Sequence, residues 1–262
     1  MLLSFLNLIS KINTKYDYVP LCHENGVEVD LYLNKNIQAK ACIYFLYGGR
    51  WTTGRKEQFR FMAHKFLKAG YNVAIADYRK HPDVKFPEFV EDAARGLVCI
   101  DQYFKKMKTS MYLYIMGHSS GAHLGAMLCT ESHYLSQAGG SINLISGFIG
   151  VSGPYKFIDY IKEGDDLSIM FGPSEKYPDS QPVLLAKQAA NMPPMLLIHG
   201  GKDKSVSPQN TLQLAEVVQK KSRVKPLIIL GLSHINIILA FALPFWPKQT
   251  KTMMDAINDF TK

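Results

Sequence analysis

Apolar runs of strand length recur along the chain at 27–33, 41–47, 71–77, 112–116, 145–151, 195–199 and 226–230, rich in β-branched and aromatic residues. Between them, the segments 57–69, 88–104, 120–130, 210–220 and 251–260 carry apolar residues at helical spacing. Strands alternating with helices predict an α/β chain with a mostly parallel central sheet covered by helices on both faces. The stretch 153–194 interrupts the alternation. Gly164, Gly172, Pro173, Pro178 and Pro182 break it into short pieces, so it reads as a small lid or pocket-wall insertion within one domain spanning 1–262. At the start, Leu2, Phe5, Leu6, Ile9 and Ile12 follow helical spacing, and residues 1–16 read as an amphipathic segment that docks on the body or touches a membrane surface weakly.

The strand at 112–116 runs directly into Gly117-His118-Ser119-Ser120-Gly121 and then into a helical segment. A sharp strand-to-helix turn lifts a serine hydroxyl clear of the backbone, and glycines on either side leave room for the crossing chain. The free N–H groups at the helix start then face developing negative charge. Ser119 is the expected nucleophile, and the Ser120 N–H one expected donor of an oxyanion hole. The strand at 41–47 ends in Gly48-Gly49-Arg50-Trp51. A double glycine lets the chain turn further N–H groups toward the same point, which makes Gly49 and Arg50 the other expected donors and Trp51 a substrate-binding wall.

Such a serine needs a base and an acid. The strand at 195–199 leads into Gly200-Gly201-Lys202-Asp203, and the one at 226–230 leads into Gly231-Leu232-Ser233-His234. The chain order serine, acid, histidine makes His234 the expected general base and Asp203 the acid that orients it. His118 points along the turn and away from its neighbour's hydroxyl, His123 lies one helical turn beyond Ser119, and His199 closes a strand. These three are expected to pack or hydrogen-bond. Asp165 and Asp166 fall in the insertion and are poorer candidates for the acid.

Bulk composition changes little in this picture. With 262 residues, 47% hydrophobic and 20% charged, the chain can bury one sizeable core. The formal net charge of +8 admits an anionic partner, but the lysines and arginines are scattered. Their densest cluster, Lys220, Lys221, Arg223 and Lys225, closes a helical segment and reads as a solvated face, so no nucleic acid is expected. Cys22, Cys42, Cys99 and Cys129 lack short metal-ligand spacing and read as free thiols. The N-terminus has no positive region ahead of its apolar stretch and no cleavage signature, and 235–246 is too short to span a bilayer, so a cytoplasmic location is expected, with the membrane contact noted above.

Taken in order, GGRW at 48–51, DYR at 77–79, FPEFVEDA at 86–93, GHSSGAHL at 117–124, HGGKD at 199–203 and SH at 233–234 resemble the carboxylesterase branch of the α/β-hydrolases. The likeness is to esterases related to hormone-sensitive lipase and to kynurenine formamidase-like enzymes, and it runs from about Asp17 to Phe260. It implies the α/β-hydrolase fold, no metal or organic cofactor, and structural roles for Asp77, Tyr78, Arg79 and Asp92. Such families often have His where this chain has Tyr47, so the support of the glycine loop must differ here. The expected activity is hydrolysis of a small or medium, apolar-acyl ester through an acyl-enzyme, with pocket walls from Trp51, the insertion and 241–246. Arylformamidase or amidase action with the same residues is the alternative, followed by a non-catalytic binding protein of the same fold.

Overall fold

A computed structural model describes residues 15–22, 27–35, 37–39 and 41–262. Its strands are β1 (Tyr16–Cys22), β2 (Glu28–Asn34), β3 (Ala41–Leu46), β4 (Asn72–Ala76), β5 (Tyr112–His118), β6 (Ile145–Val151), β7 (Met195–Gly200) and β8 (Val224–Ile229). They form one sheet in the order β1-β2-β4-β3-β5-β6-β7-β8. Pairing is parallel from β4 through to β8 and antiparallel at β1 and β2. Every residue of β3, β4 and β7 is buried, which is why their sequences read as unbroken apolar runs.

The sequence pattern missed β1. Its residues YDYVPLC mix Asp17 and Pro20 with apolar positions, and an edge strand tolerates both, because one side of its backbone needs no partner. The opposite edge, β8, likewise contains Pro226, and it starts two residues earlier than the sequence pattern suggested. Of the amphipathic segment expected over 1–16, residues 1–14 lie outside the described residues, and Tyr16 opens β1.

The helices are α1 (Arg60–Lys68), α2 (Glu88–Lys106), α3 (Ser120–Thr130), α4 (His133–Gln137), α5 (Asp166–Phe171), α6 (Pro182–Gln188), α7 (Gln209–Val218), α8 (Asn236–Leu239) and α9 (Pro247–Phe260). α3 is buried along its whole length, as a helix that is apolar or small on every face must be. The 153–194 insertion carries α5 and α6 between β6 and β7. No described helix is long and apolar enough to cross a membrane. Cys42 and Cys129 are buried, which raises both thiols, and Cys99 is half-buried. In the basic cluster, Lys221 caps the end of α6 through the Lys187 and Ala189 carbonyls, and Arg223 lies over the Phe260 ring.

The DYR and FPEFVEDA motifs meet at a buried carboxylate. Asp92, on α2, accepts from the Arg79 backbone N–H, Nε and Nη2, each at 2.9 Å, and from Arg95 Nη1 at 2.7 Å. This ties the chain leaving β4 to the helix that follows. A buried carboxylate whose bonds are all met is costly to break but adds little over an apolar pair. Asp92→Ala is expected to lower stability by about 3 kcal/mol, the low end for a buried pair because Arg79 is partly exposed. Urea denaturation checks this, and a midpoint unchanged from the parent would contradict the bracing role.

Candidate active site

The turn after β5 carries Ser119 with φ 54 and ψ −123, a left-handed backbone on a residue other than glycine. Such a conformation costs about 1–3 kcal/mol and must be held from outside. The Ser119 N–H donates to the Val151 carbonyl at the end of β6 at 3.0 Å, and its carbonyl accepts the first α3 bonds, from Ala122 and His123. A Cβ on Gly121 would collide with the Leu46 and Tyr47 carbonyls, and one on Gly48 would lie 2.8 Å from the Ser119 Cβ. The elbow and the end of β3 touch backbone to backbone, and only glycine fits there.

His234, in the turn after β8, accepts the Ser119 hydroxyl at Nε2 over 2.9 Å, while its Nδ1–H donates to Asp203 Oδ2 over 2.7 Å. The carboxylate fixes this tautomer, since it can only accept. Asp203 is itself held on every side. Its Oδ1 accepts the Ser205 and Val206 N–H groups at 2.9 Å each, and His199 Nε2 lies 3.3 Å from Oδ2. Burial alone would raise its carboxyl, but the hydrogen bonds from His199, His234 and Val206 overcome that and hold it well below the usual carboxylate range.

The other histidines brace this group. His118 is buried and donates its Nε2–H to the His234 carbonyl at 3.0 Å; burial, reinforced by the neighbouring His234, pushes it down to about 3, so the ring is neutral. His199 bonds Thr211 Oγ1 at 2.8 Å and the Val206 carbonyl at 3.0 Å, anchoring the loop that bears Asp203. His123 accepts the Trp51 indole N–H at 3.2 Å and donates to the Ser180 carbonyl at 2.8 Å; burial pushes it down to about 4. None of the three faces the Ser119 hydroxyl. Sequence position excluded them as bases but gave no signal of what they hold. Asp165 caps α5 through the Ser168 N–H and takes no part here.

The glycine loop after β3 places Arg50 and Trp51 at φ 55 and 61. The Thr52 and Thr53 N–H groups close back on the Gly49 carbonyl, and His81 N–H donates to the Trp51 carbonyl. Tyr47 stacks between Phe59 and Tyr78 and donates its hydroxyl to Asp77, which also accepts the Lys56 N–H. Tyr78 returns a bond to the Tyr47 carbonyl at 3.1 Å. The structural roles of Asp77 and Tyr78 are thereby explained. Of the three expected oxyanion donors, the N–H groups of Arg50 and Ser120 have no acceptor among the described residues. That of Gly49 does: it donates to Ser120 Oγ at 3.0 Å.

These residues open into a cavity of about 730 Å³. Its apolar lining comes from Trp51, Phe157 and Leu167 on one flank and from Ile238 and Leu239 of α8 on another. Trp51 is buried against Phe157 and Phe171, so it serves as a wall more than as an exposed contact. The 241–246 run, expected as a wall, is not one: Phe241 packs on Phe66 in the core, and Phe245 is exposed.

The BD-FAE family matches residues 29–218, a span that includes Ser119 and Asp203 and stops short of His234. The chain belongs to the BD-FAE family. A probable isoprenylcysteine alpha-carbonyl methylesterase of Arabidopsis thaliana is 27% identical over 233 residues, covering 80% of this chain and 49% of the relative. A kynurenine formamidase of Salmo salar is 30% identical over 111 residues, 42% of this chain and 37% of the relative. The chain thus spans about half the length of the methylesterase relative that it matches, and less of the formamidase. Among solved structures, an esterase of Pyrobaculum calidifontis has a TM-score of 0.76 at 17% identity, covering 99% of this chain and 90% of its own. That likeness, with the sheet described above, makes the fold that of an α/β-hydrolase.

A carboxyl lowered on folding stabilises the folded state fully above its unfolded pKa of about 3.9 and loses that contribution as the pH falls through lower values. Asp203 therefore stays ionised across roughly pH 4–9. Asp203 is therefore expected to add no protonation step of its own to the acid limb for labelling of Ser119 by a fluorophosphonate. A limb falling with the square of proton concentration would contradict it.

Proposed function

We propose that this chain is a serine carboxylesterase acting on small or medium esters with an apolar acyl group. The observation that carries the reading is the unbroken line of hydrogen bonds from Asp203 through His234 to the Ser119 hydroxyl. In this mechanism His234 removes the proton as Ser119 Oγ attacks the ester carbonyl, and Asp203 stabilises the imidazolium. The tetrahedral oxygen is received by N–H groups at the elbow and the glycine loop, each such donor being worth about 2.7–4 kcal/mol. His234 then protonates the departing alcohol. Water, deprotonated by the same imidazole, attacks the acyl-enzyme, and the acid leaves as Ser119 regains its proton. No step calls for a metal or an organic cofactor.

The apolar lining supports an apolar acyl group, and the cavity volume lies within the 300–1,000 Å³ usual for small-molecule sites. The same residues can open a formamide, and the likeness to kynurenine formamidase favours that as the second reading. A non-catalytic binding role is disfavoured, because nothing in such a role requires the three side chains to stay in bonding order.

Ser119→Ala is expected to reduce hydrolysis of short p-nitrophenyl esters by roughly 10⁴-fold or more, and mass spectrometry of a fluorophosphonate adduct should find the label on Ser119. Retained activity, or a label on another serine, would overturn the assignment. Side-by-side turnover of p-nitrophenyl butyrate and N-formylkynurenine separates the two readings. Faster turnover of the formamide, or a preference for charged acyl groups, would replace the first by the second or by a polar-acyl enzyme.

A further inference from the structure

Ser120 is nearly inaccessible to solvent, and it is the residue directly after the proposed nucleophile. Its hydroxyl accepts the Gly49 N–H at 3.0 Å and neighbours the Tyr78 hydroxyl, which donates to the Tyr47 carbonyl at 3.1 Å. The circuit runs from the elbow to the glycine loop and back to the end of β3. It engages the one N–H that the double-glycine pattern most plainly offers to an oxyanion. It leaves the neighbouring Arg50 N–H, carried by a left-handed residue, without an acceptor among the described residues.

We infer that Ser120 is a positioning residue whose hydroxyl latches the glycine loop to the elbow, so that the oxyanion hole has two donors, the Arg50 and Ser120 N–H groups, and Gly49 is structural. This rests on Ser119 being the nucleophile. Two consecutive left-handed residues, Arg50 and Trp51, are strained and need support from both sides. Trp51 is held by its indole bond to His123 and by the His81 N–H on its carbonyl. On the other side, the support is the Gly49 N–H bond to Ser120, beside the Thr52 and Thr53 N–H bonds to the Gly49 carbonyl. Diverting the Gly49 N–H to a substrate would leave Ser120 Oγ short of a buried partner and release the strain at Arg50, so the latch and a third donor exclude one another.

The decisive measurement uses the parent protein, labelled with ¹⁵N, and a phosphonate adduct on Ser119 that mimics the tetrahedral intermediate. Adduct formation is expected to move the Arg50 and Ser120 amide proton resonances downfield and leave Gly49 in place, with the Gly49 amide slow to exchange before and after. A downfield shift at Gly49 overturns the inference. Failure of the phosphonate to react at Ser119 overturns the preceding functional reading instead, and the exchange rate of Gly49 in the free protein still tests the latch. In Ser120→Ala, kcat for ester hydrolysis is expected to fall about tenfold with KM unchanged. This is less than the 10²–10³ lost with an oxyanion donor outright, because the N–H groups remain but are held loosely. Faster exchange at Gly49 should accompany the loss. A kcat equal to or above that of the parent would mean that the freed Gly49 N–H serves as a donor, and the latch would be wrong.

Discussion

A serine hydroxyl that must stand clear of its own chain forces the backbone beneath it into a conformation that side chains resist, and the left-handed Ser119 is that constraint here. Everything packed around it answers the need to hold one residue. β6 takes its N–H, α3 begins on its carbonyl, and the end of β3 passes so near that Gly48 and Gly121 can carry no side chain. The parallel order of β3, β5 and β6 brings those contacts to the same edge of the sheet. It also delivers the turns after β7 and β8, with Asp203 and His234, to that edge. Ser119, Asp203 and His234 meet from distant parts of the chain because a parallel sheet gathers its strand ends on one side.

The second organising feature is the separation of His234, bonded to Ser119 and Asp203, from three histidines that serve as braces. His234 keeps a little solvent access, whereas His118, His123 and His199 are buried. A buried imidazole is tolerable when both ring nitrogens have partners and the ring is neutral, and His123 and His199 bond at both. Neutrality matters most at His118, whose ring centroid is 5.1 Å from that of His234. In the proposed mechanism, a second cation at that distance would oppose the imidazolium formed at His234. Burial at His118 prevents it, and the bond to the His234 carbonyl fixes the turn.

Much of this was legible in the sequence, and what was not has physical causes. Of the seven strands that were readable, β3 to β7 were so because interior strands of a mostly parallel sheet are apolar on both faces. β1 was not, because an edge strand pairing on one side accommodates Asp17 and Pro20. Ser119, Asp203 and His234 announced themselves by following strands in the right order, and the structure brings them into bonding contact. The role of Gly49 could not be read so well. A double glycine signals that the chain turns sharply but not which N–H ends up facing the cavity, and that depends on the side chain at position 120, some seventy residues away. The same limit applies at 241–246, where apolar content alone did not distinguish core from pocket wall.

The insertion is less separable from the catalytic core than its broken sequence suggests. His123, on the helix behind the nucleophile, bonds the indole of Trp51 with one nitrogen and the Ser180 carbonyl with the other. The glycine loop, α3 and the insertion therefore share one buried ring, and Phe157 and Phe171 from the insertion close around it. Their burial contrasts with Tyr160, which lines the cavity but is 65% exposed. The inner wall near Ser119 is thus packed into the same unit that holds the glycine loop, and the outer wall is open to solvent at Tyr160. On the proposed esterase reading, a substrate's carbonyl and adjoining atoms would meet a surface that cannot yield without disturbing that packing. Its far end meets one that can. Selectivity close to the scissile bond should accordingly be strict, and tolerance should grow with distance from it.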